Sequence, residues 1–512
     1  MDRCLQTERG MLGRLRSAAM IGVEASLVDV EIDVAGGLPA FNVVGLPDST
    51  VRESRDRVRS AIRHAGFEFP ERRITVNLAP ADVRKSGASY DLPIALGLLA
   101  ATEALPARLL DDLVVVGALS LDGGVQPVRG VLPVALLAAR HGHRLVLPAA
   151  NLREGRIVRQ VALRPAASLA QIVADLVDGA ETAPCVPERP ASTPVRPALD
   201  LVDVRGQRGA RRALEIAAAG RHNLLFVGPP GAGKTLLARR LPGILPPPTF
   251  EEAVASTAIH SVAGLLEPAA GLLSERPFRA PHHTASDAAL IGGGRDPRPG
   301  EVSLAHNGVL FLDEIVEFDR RALEALREPL EEGVVRIARA LRTVQFPSRF
   351  LLVGAMNPCA CGYAGEALDR CRCSPTGIRR YHDRLSGPLR DRLDLTVRVE
   401  RVPFEVLAGD APAEDSTAVL ARVRRARDRQ AARYCDEPCS TNADLGGPSL
   451  RRHGRLDAES LALVERAVRR LGLTGRGFDR IRRVARTIAD LDDSPSIGRA
   501  HVAEAIQYRV IH

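Results

Sequence analysis

Lysine is almost missing from this chain of 512 residues: Lys85 and Lys234 are the only two among 70 basic residues. Alongside abundant Ala, Gly and Pro, so strong an arginine bias reads as GC-rich coding pressure. Arginine at a given position therefore says little, and a retained lysine says more. Long apolar runs are missing as well. No stretch of about 18 uncharged apolar residues occurs, which excludes a membrane-spanning helix. The first ten residues are polar and have no signal-peptide h-region. They are expected to be a disordered extension, with Met1 or Met11 as the start, and the cytoplasm is the expected compartment. The eight cysteines do not make the dense framework of a small secreted protein. A net charge of +8 permits nucleic acid as a partner without requiring it.

A hydrophobic content of 45% over this length can bury two or three cores. Residues 11–181 alternate strand and helix patterns. Ala25–Val34 and Arg73–Leu78 alternate with period two, and a helix is expected over Asp48–Ala65. Leu92–Leu105 reads as a buried helix, with short strands at Leu113–Val116 and Leu145–Leu147. Residues 182–198 carry five prolines and no apolar periodicity, as expected of a stiff linker. Residues 199–400 alternate strands and helices, the signature of a parallel sheet. The remainder, 401–512, is expected to be a helical lid, its pattern clearest from about 440, with helices over Ala458–Leu471, Arg476–Leu491 and Ile497–Tyr508.

The apolar strand His222–Val227 runs into Gly228, Pro229, Pro230, Gly231, Ala232, Gly233, Lys234 and Thr235, followed by a helical segment. Strand, glycine-rich loop and helix stand in the order that a phosphate-binding loop requires. Glycines let consecutive N–H groups turn toward phosphate oxygens, and the helix N-terminus adds its positive dipole end. Lys234 would reach the β- and γ-phosphates of ATP, and Thr235 would place its hydroxyl on Mg²⁺. With lysine so scarce, a chance match is on the order of one in a thousand. Gly308–Glu314 is an apolar strand ending in two carboxylates. Asp313 could hold the Mg²⁺ shell, and Glu314 could orient and deprotonate a water. The next strand ends at Asn357, which could bond that water or the γ-phosphate; a turn cap is the bland reading.

These residues, with Gly37–Phe41, Val43–Pro47, Arg73–Pro80, Asp91–Ile94, Ala280–Thr284, Ser303–Glu314, Ser386–Leu389 and Ala485–Leu491, resemble the ComM (YifB) branch of the magnesium-chelatase-like AAA+ ATPases. The resemblance runs over nearly the whole chain from Met11. It implies an α/β fold class: an N-terminal ribosomal-S5-like (Lon-type) α+β domain, a central P-loop AAA+ domain with a hairpin before the Asn357 strand, and a C-terminal helical lid. It also implies that Arg392 is an arginine finger reaching the neighbouring subunit's ATP. Arg476 matches the second sensor on the lid, with Arg480 and Arg483 as near alternatives. A finger given to a neighbour implies a ring, and relatives suggest a homohexamer. Val334–Phe346 reads as a hairpin, which in relatives points into the ring pore; Arg336, Arg339 and Arg342 would then contact DNA phosphates.

Cys359, Cys361, Cys371 and Cys373 form two C-x-C pairs that could hold Zn²⁺. The one-residue spacing departs from the usual knuckle, and reduced cytosolic thiols are the alternative. His282 and His283 are expected to belong to a structural loop, their side chains diverging. Ser89 lies roughly where Lon-type peptidases place a nucleophile, but the helix Val131–Ala139 has no lysine to serve as base. No peptidase substrate is expected, nor a membrane partner. The function implied is an ATP-driven DNA motor for branch migration of recombination intermediates in natural transformation. The alternatives are the motor subunit of a metal chelatase, against which the missing integrin-like metal-site domain counts, and an ATP-controlled protein-remodelling scaffold.

Overall fold

The computed structural model describes residues 11–179, 199–267, 271–294, 297–338, 343–365, 370–409 and 413–509. The expected extension 1–10 and the linker 182–198 lie outside these residues, as do Arg339 and Arg342. The described residues form two compact units. One comprises residues up to 179 together with those of Ala253–Leu273, and the other runs from 199 to Glu252 and from Ser274 onward.

The first unit is built on a mixed sheet. Strands β1 (Met11–Ile21) and β2 (Glu24–Ala35) pair antiparallel from Met11↔Val34 to Ile21↔Glu24. In β2, Val28, Val30, Ile32 and Val34 are buried between the less buried Asp29, Glu31 and Asp33, as the period-two pattern requires. With β3 (Ala40–Val44), β4 (Arg73–Ala79), β5 (Leu113–Val115), β6 (Arg144–Pro148) and β7 (Leu163–Ala166), the sheet order is β3-β4-β2-β1-β5-β6-β7. The helix expected over 48–65 is two helices. The Asp48 carboxylate caps Ser49–Arg52 at Val51 N (2.8 Å), and α1 (Ser54–His64) follows after Glu53. Helix α2 (Asp91–Ala101) is buried at every position and ends short of Leu105. Its buried Asp91 is pushed above the usual carboxylate range by desolvation, and the Arg57 guanidinium, 2.6 Å away, pulls it back part of the way.

Chain continuity would assign Ala253–Leu273 to the central 199–400 segment, but its packing places it in the first unit. Ala258 joins the core of Val131, Leu132 and Ala135 on α3 (Val131–Arg140). Ser261 Oγ accepts from Gly130 N (2.9 Å) and donates to the buried Glu154 carboxylate, which also accepts from Leu132 N (2.8 Å).

The second unit carries a five-stranded sheet in which every pairing is parallel. Its strands are β8 (Leu224–Val227), β9 (Phe278–Arg279), β10 (Val309–Leu312), β13 (Leu351–Met356) and β14 (Leu395–Arg398), in the order β9-β10-β13-β8-β14. Between β10 and β13 in sequence, β11 (Val334–Ala338) and β12 (Thr343–Pro347) form a separate antiparallel hairpin. The C-terminal helices come earlier than the pattern from about 440 suggested. Helix α4 (Ser416–Arg433) buries Val419, Val423, Ala426 and Gln430, a narrow stripe on an arginine-rich helix. It is followed by α5 (Ala458–Leu471), α6 (Gly475–Leu491) and α7 (Arg499–Gln507). One core joins Leu224, Phe226 and Val353 of the sheet to Val423, Ile481 and Val484 of these helices.

Candidate ATP site

Parallel register assembles the site at the carboxyl edge of the sheet, where open α/β folds bind their ligands. Val227 is level with Met356, and Leu312 with Gly354. The loop after β8, Asn357 after β13 and the two carboxylates after β10 therefore emerge side by side. Gly228 N donates to Met356 O (3.1 Å), which joins the first two of these directly. Gly231 (φ +76°) and Gly233 (φ +95°) hold left-handed conformations that side chains disfavour. These turns bring the loop back to the helix Lys234–Ala238.

Lys234 Nζ donates to Gly228 O (2.6 Å), Pro229 O (2.9 Å) and Asn357 Oδ1 (3.1 Å). Its ammonium is thus curled into the loop and touches the next strand's amide. Burial pushes its pKa below the ordinary value, and the charges of Asp313 and Glu314 oppose that shift. Thr235 Oγ1 donates to Asp313 Oδ2 (2.7 Å). A hydroxyl and a carboxylate so paired are the two oxygen donors through which an Mg²⁺ ion and its waters would be held. Glu314 is exposed and adopts φ +50°, a conformation rare for a non-glycine residue and concentrated at functional sites. The turn is fixed by Glu314 N to Asp313 Oδ1 (3.0 Å) and Glu317 N to Glu314 O (2.7 Å).

The structure therefore brings Lys234, Thr235, Asp313, Glu314 and Asn357 into one cluster, and it adds residues not expected at this site. His283 Nδ1 lies 3.8 Å from Glu314 Oε2. The expected divergence of His282 and His283 is not found: their ring centroids are 4.1 Å apart, and His282 Nδ1 bonds Thr284 Oγ1 (2.9 Å). Tyr381 is buried, and burial raises its phenol to about 12, with the charge of Glu317 adding to the shift and the Asn357 backbone opposing it. Gln207 Nε2 donates to Ala232 O (3.1 Å) and Glu400 O (2.6 Å), steadying the loop from behind. Ala280–Thr284 was the one legible signal among these; the rest depend on contacts distant in sequence.

Arg392 lies apart from this cluster. Its guanidinium donates to Pro388 O (2.5 Å) and pairs with Glu331, leaving the side chain 9% exposed. Burial lowers its pKa, and the charges of Arg327 and Arg476 add to the effect. Arg476 is itself exposed at the start of α6. Arg480, one turn on, is committed to Asp391 and Asp394 (3.6 Å each). The two strands of the hairpin expected over Val334–Phe346 pair, and Arg336 lies on the first of them. Arg336 pairs with Glu328 (3.0 Å) and Glu332, because the preceding helix Arg327–Glu332 presents both carboxylates to it.

The cysteines converge: Sγ atoms of Cys359, Cys361, Cys371 and Cys373 all lie within 4.8 Å of one another. Cys359–Cys371 and Cys361–Cys371 are 3.7 Å apart, close to the ~3.8 Å edge of a tetrahedral Zn²⁺ site with bonds of about 2.3 Å. Within the cluster the Cys361 thiol is lowered to about 6, chiefly by the Tyr363 backbone N–H, while burial and the neighbouring thiols raise those of Cys371 and Cys373. In the first unit, Ser89 is half-buried, while Lys85 is fully buried and donates to Pro80 O.

A parallel sheet with Lys234 on its loop, an Mg²⁺-type Thr–Asp pair and an adjacent Glu defines an AAA+ P-loop ATPase. The family model described as magnesium chelatase, subunit ChlI, matches residues 200–407. Those for subunit ChlI of Mg-chelatase and for its C-terminal region match 30–151 and 413–509. The chain is 45% identical to the uncharacterized protein YifB of Escherichia coli over 98% of its length and 97% of that protein's. It is 45% identical to the competence protein ComM of Haemophilus influenzae over 97% of both chains. A shorter match, 31% identical over 28% of this chain, is to 27% of Lon protease 2 of Bacillus subtilis. The chain belongs to the YifB/ComM family of magnesium-chelatase-like AAA+ ATPases. Its first unit has the ribosomal-S5-like, Lon-type α+β fold. Among the described residues no helix is long and apolar enough to cross a membrane.

Proposed function

We propose that this protein is a homohexameric ring motor that spends ATP to move DNA, driving branch migration of recombination intermediates during uptake of foreign DNA. The ATP half of this reading rests on the Lys234–Asn357 and Thr235–Asp313 contacts. Asn357, on the strand beside the P-loop, would feel the γ-phosphate, and Glu314 would take a proton from the attacking water. Arg392 would leave Glu331 to reach the ATP of the next subunit. Arg476 would serve as the second sensor, since Arg480 is occupied by Asp391 and Asp394. The DNA half is supported by the likeness to a competence protein across 97% of both chains and by the net charge of +8.

Forked or four-way DNA should therefore raise the ATPase rate several-fold, and the stimulation should fall as salt rises, because phosphate contacts release counterions. Alanine at Arg336, Arg339 and Arg342 together should keep ATP hydrolysis and lose strand movement. ATPase rates with and without DNA, beside a strand-exchange assay, measure both. DNA with no effect on either binding or hydrolysis would end this half of the reading.

The four cysteines are proposed to hold one structural Zn²⁺. Protein purified without chelators should carry about one zinc per chain, with Cys359 to Cys373 supplying four thiolates. Elemental analysis and chelator-detected release check this, and zinc well below one per chain would contradict it.

A further inference from the structure

We propose that the cysteine knot couples two ATP sites, fixing Asn357 at the site of its own subunit and carrying that position to the finger offered to the next. The inference rests on the zinc reading above. The knot joins two elements rather than closing one loop end. Cys359 and Cys361 follow directly on β13 and Asn357, while Cys371 and Cys373 precede α3′, the helix Pro375–His382 capped by Ser374. That helix returns to the sensor. His382 Nε2 bonds the carbonyl oxygen of Pro358, the residue that follows Asn357 (2.8 Å).

The knot also touches the phosphate loop. Gly362, held at φ +86°, lies so close to the loop that a Cβ there would be 2.7 Å from Pro230 Cδ. Downstream, the chain passes from His382 through Arg384 to Arg392. Arg384 pairs with Glu317 (3.0 Å), whose own N–H is bonded to Glu314 O. The segment that leads to the finger is thereby tied to the sensor at one end and to the catalytic turn in its middle. A metal bonded to both elements fixes their separation, where four uncoordinated thiols would leave it to weak contacts. Displacing a reacting or sensing group by about 1 Å can cost on the order of 100-fold in rate.

The test uses the full chain with its zinc measured. Zinc is withdrawn from the wild type with a zinc-selective chelator, Mg²⁺ is kept in excess, and Cys371→Ser/Cys373→Ser is made in parallel. The metal-free forms should lose about tenfold in kcat and show weaker cooperativity in ATP, with ATP affinity changed less than about twofold. His382→Phe keeps a ring in place and removes the nitrogen that bonds Pro358 O beside Asn357. It should keep its zinc and lower kcat several-fold, with ATP affinity preserved, so the coupling is readable even where the double variant does not fold.

Confirmed zinc loss with kcat unchanged would overturn the coupling while leaving the zinc site standing. A parallel fall in kcat and ATP affinity, the sign of a general scaffold, would overturn it too. Absence of zinc from the purified wild type would overturn the metal reading itself and the coupling with it.

Discussion

Glu314→Gln is expected to lower kcat by about three orders of magnitude while leaving ATP affinity within about twofold. The substitution keeps the size of the side chain and its hydrogen-bonding reach but removes the base. Nothing that holds nucleotide is altered: Lys234 bonds the loop carbonyls and Asn357, and Thr235 bonds Asp313. The backbone at position 314 sits at φ +50°, where Gln is no worse placed than Glu, so loss of rate without unfolding is the expected pattern. Binding of a fluorescent ATP analogue, together with steady-state hydrolysis and a melting curve, separates the outcomes. Rapid turnover in this variant would mean that another group activates the water, with His283, 3.8 Å from Glu314, the first to be tested.

Arg392→Ala is expected to cost about 10³-fold or more in kcat, the scale of an arginine finger, with nucleotide binding by each chain preserved. Within one chain the guanidinium is turned to Glu331 and Pro388 O, and its contacts do not include Lys234, Asp313 or Asn357. If Arg392 served its own subunit only by pairing with Glu331, its removal would lower thermal stability slightly and leave kcat intact. Hydrolysis at protein concentrations that permit assembly distinguishes the two roles.

The parts of the site legible in the sequence are those whose residues are neighbours in the chain. Gly228–Thr235 carries its own geometry, and Asp313 and Glu314 announce themselves at the end of an apolar strand. Asn357 was legible as the polar residue that ends the strand after Asp313 and Glu314, in chain order behind the P-loop, and the parallel register sets it beside the loop. Gln207 and Glu331 were not legible. Each acts through a contact between segments that only the fold brings together, and a single glutamine or glutamate has no spacing to betray it. The same limit explains Arg336: its charge was visible, whereas its pairing with Glu328 and Glu332 depends on how the preceding helix meets β11. Helix α4 was obscured differently, because its buried positions are spread thinly among arginines. The helix segment from Ala253 was hidden by continuity, as sequence order says nothing of which core Ala258 enters.

The central claim is that each ATP is hydrolysed by residues from two chains, Glu314 from one and Arg392 from the next. Mixing Glu314→Gln chains with Arg392→Ala chains tests this most directly. Neither variant alone should hydrolyse ATP appreciably. In a freely exchanging equal mixture, about a quarter of the sites would pair an intact Glu314 with an intact Arg392 from the neighbour, so activity should reappear as the two are combined. A mixture that assembles but stays as inactive as its components would contradict the shared site.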